Sequence, residues 1–311
     1  MTDPTLSTDE LFLVTYCLVD ELYQEAAPDR VRFRPGSDRM RMSDSEIICL
    51  SVMQEGRSND SELSFHRLVA KDYRHLFPDL VDRSRYHRRR KALMGVQREM
   101  LRLLMERVRL LAAWLLIDSA PIATAELPRW KTARMSVWAA AAGFCPAKRT
   151  FFLGFRLHLL VDSRGGLCDF VLSPADVGER RVAEHLLAVE ADRAGRQGTV
   201  RPVLADNGYC GDWLAGLFGK GGGALWVAPR RKRRPASPEE TALRAWHRAL
   251  RARIESVFGT LADQFQVETT RARSLWGVMT RVGAKLLAYM VGFVINETLG
   301  RPGTALKSLY Q

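Results

Sequence analysis

Three carboxylates occupy positions from which they could act together on a phosphate. Asp118 closes the apolar run 110–117, Asp206 closes the run 200–205, and Glu255 lies in a segment with helical periodicity. Mg²⁺ prefers hard oxygen ligands, and two such ions about 3.5 to 4 Å apart can activate an oxygen nucleophile and stabilise a leaving oxygen. Two acids from strand ends and one from a helix therefore predict phosphoryl-transfer chemistry.

Each of these acids also has an ordinary structural interpretation. An aspartate directly after a strand often caps the turn that follows. Arg251 and Glu255, four residues apart on a helix, would form an exposed ion pair worth a few tenths of a kcal/mol. The order along the chain favours chemistry, because one acid follows the first strand, a second follows the strand beyond a hairpin, and the third lies on a late helix.

The helix around Glu255 has a regular apolar face. Its apolar positions follow helical spacing and are Leu250, Ile254, Val257, Phe258, Leu261 and Phe265. Glu255 lies at the edge of this stripe, so its carboxylate should emerge at the rim of the core. Arg248 and Arg251 lie on the same flank, where they would grip a scissile phosphate or orient Glu255.

The elements that would position these residues begin near residue 110, where short apolar runs bounded by glycine and proline alternate with helical stretches. The predicted order is a strand that Asp118 closes, a hairpin of strands 152–161 and 167–172 around the turn 162–166, a helix 179–194, a strand that Asp206 closes, a helix 211–218, a short strand 224–228 and the helix of Glu255. This order implies an α/β fold in which a mixed sheet is flanked by helices.

Residues 1–109 have a helical pattern. Ser43 and Glu46 have the spacing of a capping box, and further helices are predicted from residue 59 or 61 to residue 71 and over 84–109. The last helix is strongly basic. A solvated face is the ordinary interpretation of a charge run, but charge of one sign repels itself. We predict that this helix contacts DNA as in a helix-turn-helix-like reader, through Arg88, Arg89, Arg90 and Lys91.

The composition suits a polyanionic partner. The chain of 311 residues has 47 Lys and Arg against 35 Asp and Glu, a net charge of +12, and such side chains gain affinity by releasing counterions from phosphates. Basic composition alone is a weak indication. The five cysteines include no Cys-x-x-Cys pair, which favours reduced thiols over a disulfide framework or a zinc site.

Two features bear on membranes. The N-terminus carries acids where a signal peptide would carry basic residues, so no signal peptide is predicted. The most hydrophobic stretch, 286–295, is about half as long as a membrane-spanning helix, so we expect a buried core helix.

Two further basic stretches lie in predicted loops, one before the hairpin and one in the run 229–235. They contain Lys148 and Arg149, and Arg230, Arg231, Lys232, Arg233 and Arg234. We favour phosphate contact over a passive solvated loop for both stretches. His158, which two leucines flank, is expected to be structural, and Tyr209 is expected to pack beneath the site.

The chain resembles bacterial insertion-sequence transposases of the DDE type in three motifs. They are Ile117-Asp118-Ser119-Ala120-Pro121, the strand 152–159, and Ala205-Asp206-Asn207-Gly208-Tyr209. Arg251-x-x-x-Glu255 and the helix 275–297 continue the likeness, which covers roughly residues 110–297. The resemblance implies a ribonuclease-H-like core and two Mg²⁺ ions, for which Mn²⁺ could substitute. It also implies that Asp118, Asp206 and Glu255 form the catalytic, metal-binding triad.

The chain departs from these relatives around the glutamate. Many relatives have Tyr-x-x-Arg-x-x-x-Glu-x-x-x-x-x-x-Lys, whereas this chain has Arg248 in place of the tyrosine and Ala262 in place of the lysine. The missing lysine puts in doubt the DNA-end contact that the family pattern implies for that helical turn. Glu255 is still preferred as third acid to Glu239, Glu240, Asp263 and Glu268.

These features predict a helical DNA-binding region 1–109, a ribonuclease-H-like domain 110–299 with a basic loop 229–241, and a tail 300–311.

The predicted function is transposition: binding the terminal inverted repeats of its own element, cleaving the ends and joining their 3′-hydroxyls to target DNA. The predicted partner is double-stranded DNA and not a membrane, with a homodimer in the synaptic complex. We expect a cytoplasmic protein that is associated with the nucleoid when bound. The alternatives are a nuclease without strand transfer and a non-catalytic DNA-binding regulator.

Overall fold

The structure is a computed structural model that describes most of the chain. The described residues are 6–58, 61–126, 140–145, 149–198, 201–206, 209, 224–227, 237–270, 272 and 274–311. Lys148, the arginine and lysine residues 230–234 and the predicted helix 211–218 lie outside them.

The chain divides into two compact units. The first comprises Met1–Glu106, Thr260–Val267 and Val278–Gln311, and the second comprises Arg107–Gly259 and Glu268–Gly277. This division differs from the predicted regions in several respects. Residues 260–267, predicted in the catalytic domain, and residues 300–311, predicted as a separate tail, belong to the first unit. Residues 278–299, which we placed in the catalytic domain, belong to the same unit as the N-terminal helices.

The first unit is built from helices. They are α1 (Thr8–Ala26), α2 (Asp29–Arg32), α3 (Asp44–Gly56), α4 (Glu62–Asp72), α5 (Arg83–Ala92), most of α6 (Met94–Leu110), most of α9 (Leu275–Thr298) and α10 (Leu306–Tyr310). The capping box predicted at Ser43 and Glu46 is confirmed. The Ser43 hydroxyl accepts the backbone N–H of Glu46, and the Glu46 carboxylate accepts that of Ser43, which satisfies two donors at the start of α3.

The single helix predicted over 84–109 is two helices in the structure. α5 ends at Ala92, α6 begins at Met94, and Leu93 between them is buried. Gly95 lies in the first turn of α6, and glycine lowers helix propensity by about 1 kcal/mol relative to alanine. A helix that continued through residues 93–95 would therefore gain little stability, and burial of Leu93 favours the break.

α9 is a core helix of the first unit. By length and composition it is apolar enough to cross a membrane, with a mean hydropathy of 1.5, but 72% of that stretch is buried within the protein. The buried core helix predicted at 286–295 is thereby confirmed. Lys285 on this helix donates to Glu55 of α3 at 2.7 Å, and both side chains are buried.

The second unit contains a mixed sheet. The described strands are β1 (Leu115–Glu126), β2 (Ala141–Cys145), β3 (Thr150–Asp162), β4 (Leu167–Pro174), β5 (Pro202–Ala205) and β6 (Ala224–Val227). β3 is antiparallel to β1, β2 and β4, whereas β5 is parallel to β1 and β6. α7 (Glu179–Gln197) precedes β5, and α8 (Pro238–Asp263) follows β6. A mixed sheet flanked by helices, after a helical N-terminal region, confirms the predicted α/β fold class.

β1 is longer than predicted, so Asp118 lies inside the strand rather than at its end. β1 remains paired with β3 as far as Glu126, whereas its pairing with β5 reaches only Leu116 opposite Leu204. The continuation was hidden in the sequence by Pro121, because proline removes a ladder hydrogen bond and usually marks a strand boundary. Asp118 therefore follows the point where β1 loses its parallel neighbour.

Candidate active site

The two strand aspartates meet at one guanidinium group. Because Leu116 pairs with Leu204, Asp118 and Asp206, each two residues further along, lie at the same edge of the sheet. Arg251 of α8 reaches both. Its Nη2 donates to Oδ2 of Asp118 at 2.8 Å, and its Nη1 lies 3.3 Å from Oδ1 of Asp206. One cationic side chain thus holds two carboxylates from neighbouring parallel strands.

The surroundings of Asp118 leave its negative charge under-compensated. Burial raises the pKa of this carboxyl, and the nearby Asp206 acts in the same direction. Arg251 opposes the rise, as does the backbone N–H of Ser119, which donates to Oδ1 of Asp118 at 2.8 Å. The net direction is upward, so additional positive charge beside Asp118 would stabilise its ionised form.

Glu255 does not join the two aspartates. It lies one turn after Arg251 on α8 with an exposed side chain. Among the residues that the structure describes, no three His, Cys, Asp or Glu side chains are grouped so as to hold a metal ion. Asp118 and Asp206 nevertheless fit a metal cation in part, because their carboxylates are hard oxygen ligands and both already contact the cationic Arg251.

A polar network beside Asp118 connects β1, β3 and α7. The Ser119 hydroxyl donates to Oε1 of Glu179 at 2.8 Å. Nη1 of Arg156 donates to the same oxygen at 3.0 Å and lies 3.3 Å from the Ser119 hydroxyl. Sequence reasoning missed Arg156 and Glu179. Their signal was a charged residue within an apolar strand and an acid in the first turn of the helix that follows the hairpin.

His158 and Tyr209 fill interior positions, as expected. Nε2 of His158 lies 3.1 Å from the Ser173 hydroxyl, and burial, with Arg156 acting in the same direction, lowers the pKa of His158 to about 4. The imidazole is therefore neutral near pH 7, which suits a structural role. Tyr209 is only 1% exposed, and burial, helped by Asp118, raises the pKa of its hydroxyl.

The basic residues predicted to contact DNA differ in accessibility. Arg88 and Lys91 on α5, Arg149 just before β3 and Arg248 on α8 have exposed side chains. Arg89 is half-buried, because it donates to the backbone carbonyl of Met42 and to the carboxylate of Asp44. The exposed members remain available to phosphates.

The assignment of Arg90 to the DNA-binding set requires correction. Its side chain is buried, and its guanidinium donates to the carboxylate of Glu55 and to the Gln54 side chain. A buried cation needs such partners, because an unpaired charge in the interior costs several kcal/mol. Arg90 therefore stabilises the packing of α3 against α5, and its guanidinium is not exposed for contact with DNA.

Comparison with known proteins places these residues in a family. The family model for the transposase DDE domain matches residues 113–291, more than half of the chain, and that span contains Asp118, Asp206 and Glu255. A cryo-EM structure of a piggyBac transposase synaptic complex with hairpin DNA is similar, with a TM-score of 0.48 and 14% identity over 96% of this chain and 79% of that one. No curated protein matches the chain. The observed mixed sheet is consistent with the ribonuclease-H-like core that the family resemblance implied.

Proposed function

Because the chain belongs to the transposase DDE domain family, we propose that it binds the terminal inverted repeats of its own mobile element, cleaves at the element ends and joins the 3′-hydroxyls to target DNA. Double-stranded DNA is then both partner and substrate. The reaction takes place in the cytoplasm, and a homodimer holds the two ends in the synaptic complex.

The observation that carries this proposal is the meeting of Asp118 and Asp206 at Arg251. Holding these two carboxylates together is costly, because like charges repel and burial penalises the charged form of Asp118. A fold that keeps two such groups together at the open edge of a sheet uses them for a cationic ligand or for chemistry. Arg251 shares its helix with Glu255, so the same element supplies the third acid of the proposed triad.

Divalent cations are the proposed cofactor, Mg²⁺ with Mn²⁺ as a substitute. Asp118 and Asp206 would hold the ions, and Glu255 would serve as the third acidic ligand from α8. When bound, two such ions lower the pKa of the attacking oxygen and stabilise the charge on the leaving oxygen. The polar network of Ser119, Arg156 and Glu179 fixes β1 beside α7, which keeps Asp118 in place.

The reaction proceeds in two displacements at phosphorus. In the first, water attacks at the element end, the P–O3′ bond breaks, and the freed 3′-oxygen takes a proton. In the second, that 3′-hydroxyl loses its proton and attacks a target phosphorus, and a target 3′-oxygen leaves. Arg248 is exposed one turn before Arg251 on α8, and we assign to it the positioning of the scissile phosphate.

The test is cleavage and strand transfer with duplexes that carry the short inverted repeats flanking the gene. Asp118→Asn and Asp206→Asn should each lower both reactions on the order of a hundredfold or more, because a lost metal ligand removes several kcal/mol of charge stabilisation. Binding to the same duplexes should be retained. Asp176→Asn is the matched control, since Asp176 is exposed in the loop before α7.

Three outcomes would contradict the proposal in different ways. Cleavage without joined product would identify a nuclease. Full activity of Asp118→Asn would remove that residue from the chemistry. DNA binding with neither reaction in the wild-type protein, in Mg²⁺ or Mn²⁺, would identify a non-catalytic regulator.

A further inference from the structure

The first unit contains an open basic cleft that lies outside the proposed catalytic site. Its volume is about 800 Å³, and its lining combines six arginines with one aspartate and a few apolar residues. The arginines are Arg39, Arg41, Arg74, Arg85, Arg88 and Arg89. We refer to this feature as the arginine cleft. We propose that it binds the phosphodiester backbone of duplex DNA, an inference that rests on the proposed function and extends it to a second surface.

The arginines come from three separate segments of chain. Arg39 ends the short 3₁₀ helix Ser37–Arg39, and Arg41 lies in the loop between that helix and α3. Arg74 lies in the connection after α4, and Arg85 and Arg88 lie on α5. All five have exposed side chains. A charge run on a single helix has a simple explanation as a solvated face, but cations brought into one cavity from three segments repel each other and oppose folding. An anionic ligand would relieve that repulsion.

Acidic neighbours neutralise only part of this charge. Asp79, within the lining, lies 3.7 Å from Arg41, and both side chains are well exposed. Asp82 caps α5 by accepting the backbone N–H of Arg85, and Arg85 and Arg88 contribute to lowering its pKa. Asp38 lies 4.0 Å from Arg39, and Asp44 pairs with Arg89 but is shared with Arg34. These four carboxylates do not balance the six guanidinium groups of the lining and Arg34, so the cleft retains net positive charge.

The wall of the cleft is held rigidly by one buried carboxylate. Asp44 accepts hydrogen bonds from both Nη atoms of Arg34 and from Nη2 of Arg89, at 2.6 to 2.8 Å. Arg89 also donates to the backbone carbonyl of Met42 at 2.8 Å. Burial raises the pKa of Asp44, but these bonds outweigh burial and lower it. The loop before α3 is thereby fixed to α5, so the cationic surface is formed before a ligand arrives.

The size and lining of the cleft identify the class of ligand. The cavity is much larger than one phosphate, which favours a chain of phosphates over a single anion. No aromatic ring is among the described residues that line it, whereas proteins that bind single strands stack bases on aromatic side chains. Arginine forks match phosphate oxygens in two-point contacts. The arginine cleft therefore suits the backbone of a duplex, and its contribution should be independent of base sequence.

The orientation of α5 explains why its basic residues divide into two sets. Arg90 is directed into the interior against Glu55, and Arg83 and His87 contact Glu62 on α4. Arg85, Arg88 and Arg89 line the cleft instead. A helix that contacted DNA with all of its basic side chains would not pair some of them with acidic side chains of the protein. A helix that forms one wall of a cleft would direct only one set of its basic side chains into the cleft.

The experiment measures duplex affinity against salt concentration for paired double variants of the full chain. Arg85→Gln with Arg88→Gln tests the α5 wall, and Arg41→Gln with Arg74→Gln tests the walls that are not on α5. Each pair should lower the magnitude of the slope of log K against log salt by about two and weaken binding on the order of tenfold, equally for inverted-repeat and unrelated duplexes. Arg98→Gln with Arg102→Gln removes the same charge from α6, outside the cleft, and should leave the slope nearly unchanged.

The outcomes separate this inference from the proposed function. Unchanged slopes for both cleft pairs would overturn the cleft, even if strand transfer proceeds normally. An effect of the α5 pair alone would reduce the site to a helix face and also overturn it. Cleft-dependent stabilisation by tripolyphosphate with unchanged duplex binding would identify a small-anion site. Cleft-dependent duplex binding by a protein that never joins DNA would support the cleft and contradict transposition.

Discussion

The guanidinium of Arg251 lies between the carboxylates of Asp118 and Asp206, where positive charge is most favourable. Its helix register had placed it on the flank of Glu255, so the sequence predicted that it would be close to the chemistry. It did not predict that Arg251 rather than Glu255 would reach the aspartates. That distinction depends on how α8 packs on the sheet, which is a non-local property that periodicity along one helix does not determine.

Arg251 and a divalent cation should compete for the same carboxylates. Arg251→Gln should therefore bind Mn²⁺ more tightly than the wild-type protein, measured as metal-dependent thermal stabilisation. It should also cleave element ends on the order of tenfold or more slowly, because a charge-assisted contact to phosphate is lost. Arg253→Gln, an exposed position on the same helix, should change neither quantity. Weaker Mn²⁺ binding by Arg251→Gln would show that this arginine supports the metal site instead of competing for it.

At the scale of helices and strands, the sequence predicted correctly those features that neighbouring residues determine. The capping box at Ser43, the hairpin of β3 and β4, and the buried helix around 286–295 all depend on residues close together in the chain. The break at Leu93 and the extension of β1 to Glu126 depend on distant partners, so they were missed. Glu55 illustrates the same limit, because it joins α3 to Arg90 on α5 and to Lys285 on α9.

Glu55→Gln should lower the free energy of unfolding by about 3 kcal/mol or more near pH 7, because it removes the carboxylate that pairs with buried Lys285 and leaves buried Arg90 only the more distant Glu62. Burial raises the pKa of Glu55, but Arg90 and Lys285 outweigh burial and hold it below the usual value. The stabilisation is thus fully present above the ordinary carboxyl pKa and is lost as pH falls through the lower pKa of Glu55 in the folded protein. Urea unfolding should show the difference from wild type shrinking in acid. Glu99→Gln, an exposed partner of Arg102, should cost less than about 1 kcal/mol.

At the scale of the whole molecule, the boundary expected near residue 109 is close to the division at Glu106 and Arg107, but the units are not continuous in sequence. Composition and hydropathy describe segments, and they carry no information about which distant segment completes a core. α9 was correctly expected to be buried. Its partners were not predictable, because an apolar helix can pack in either unit equally well by composition.

The discontinuity predicts how the helical region behaves when it is isolated. A fragment of residues 1–109 lacks Lys285 beside Glu55, and it lacks Gln264, whose side chain donates to the carbonyl oxygens of Gly56 and Leu306. It also exposes the apolar surface that α9 covers, so it should show no cooperative thermal transition by circular dichroism. The same fragment joined to residues 260–311 through a flexible Gly/Ser linker should regain one. A cooperative transition at the same temperature in both proteins would show that residues 1–109 fold independently and that α9 contributes little to their core.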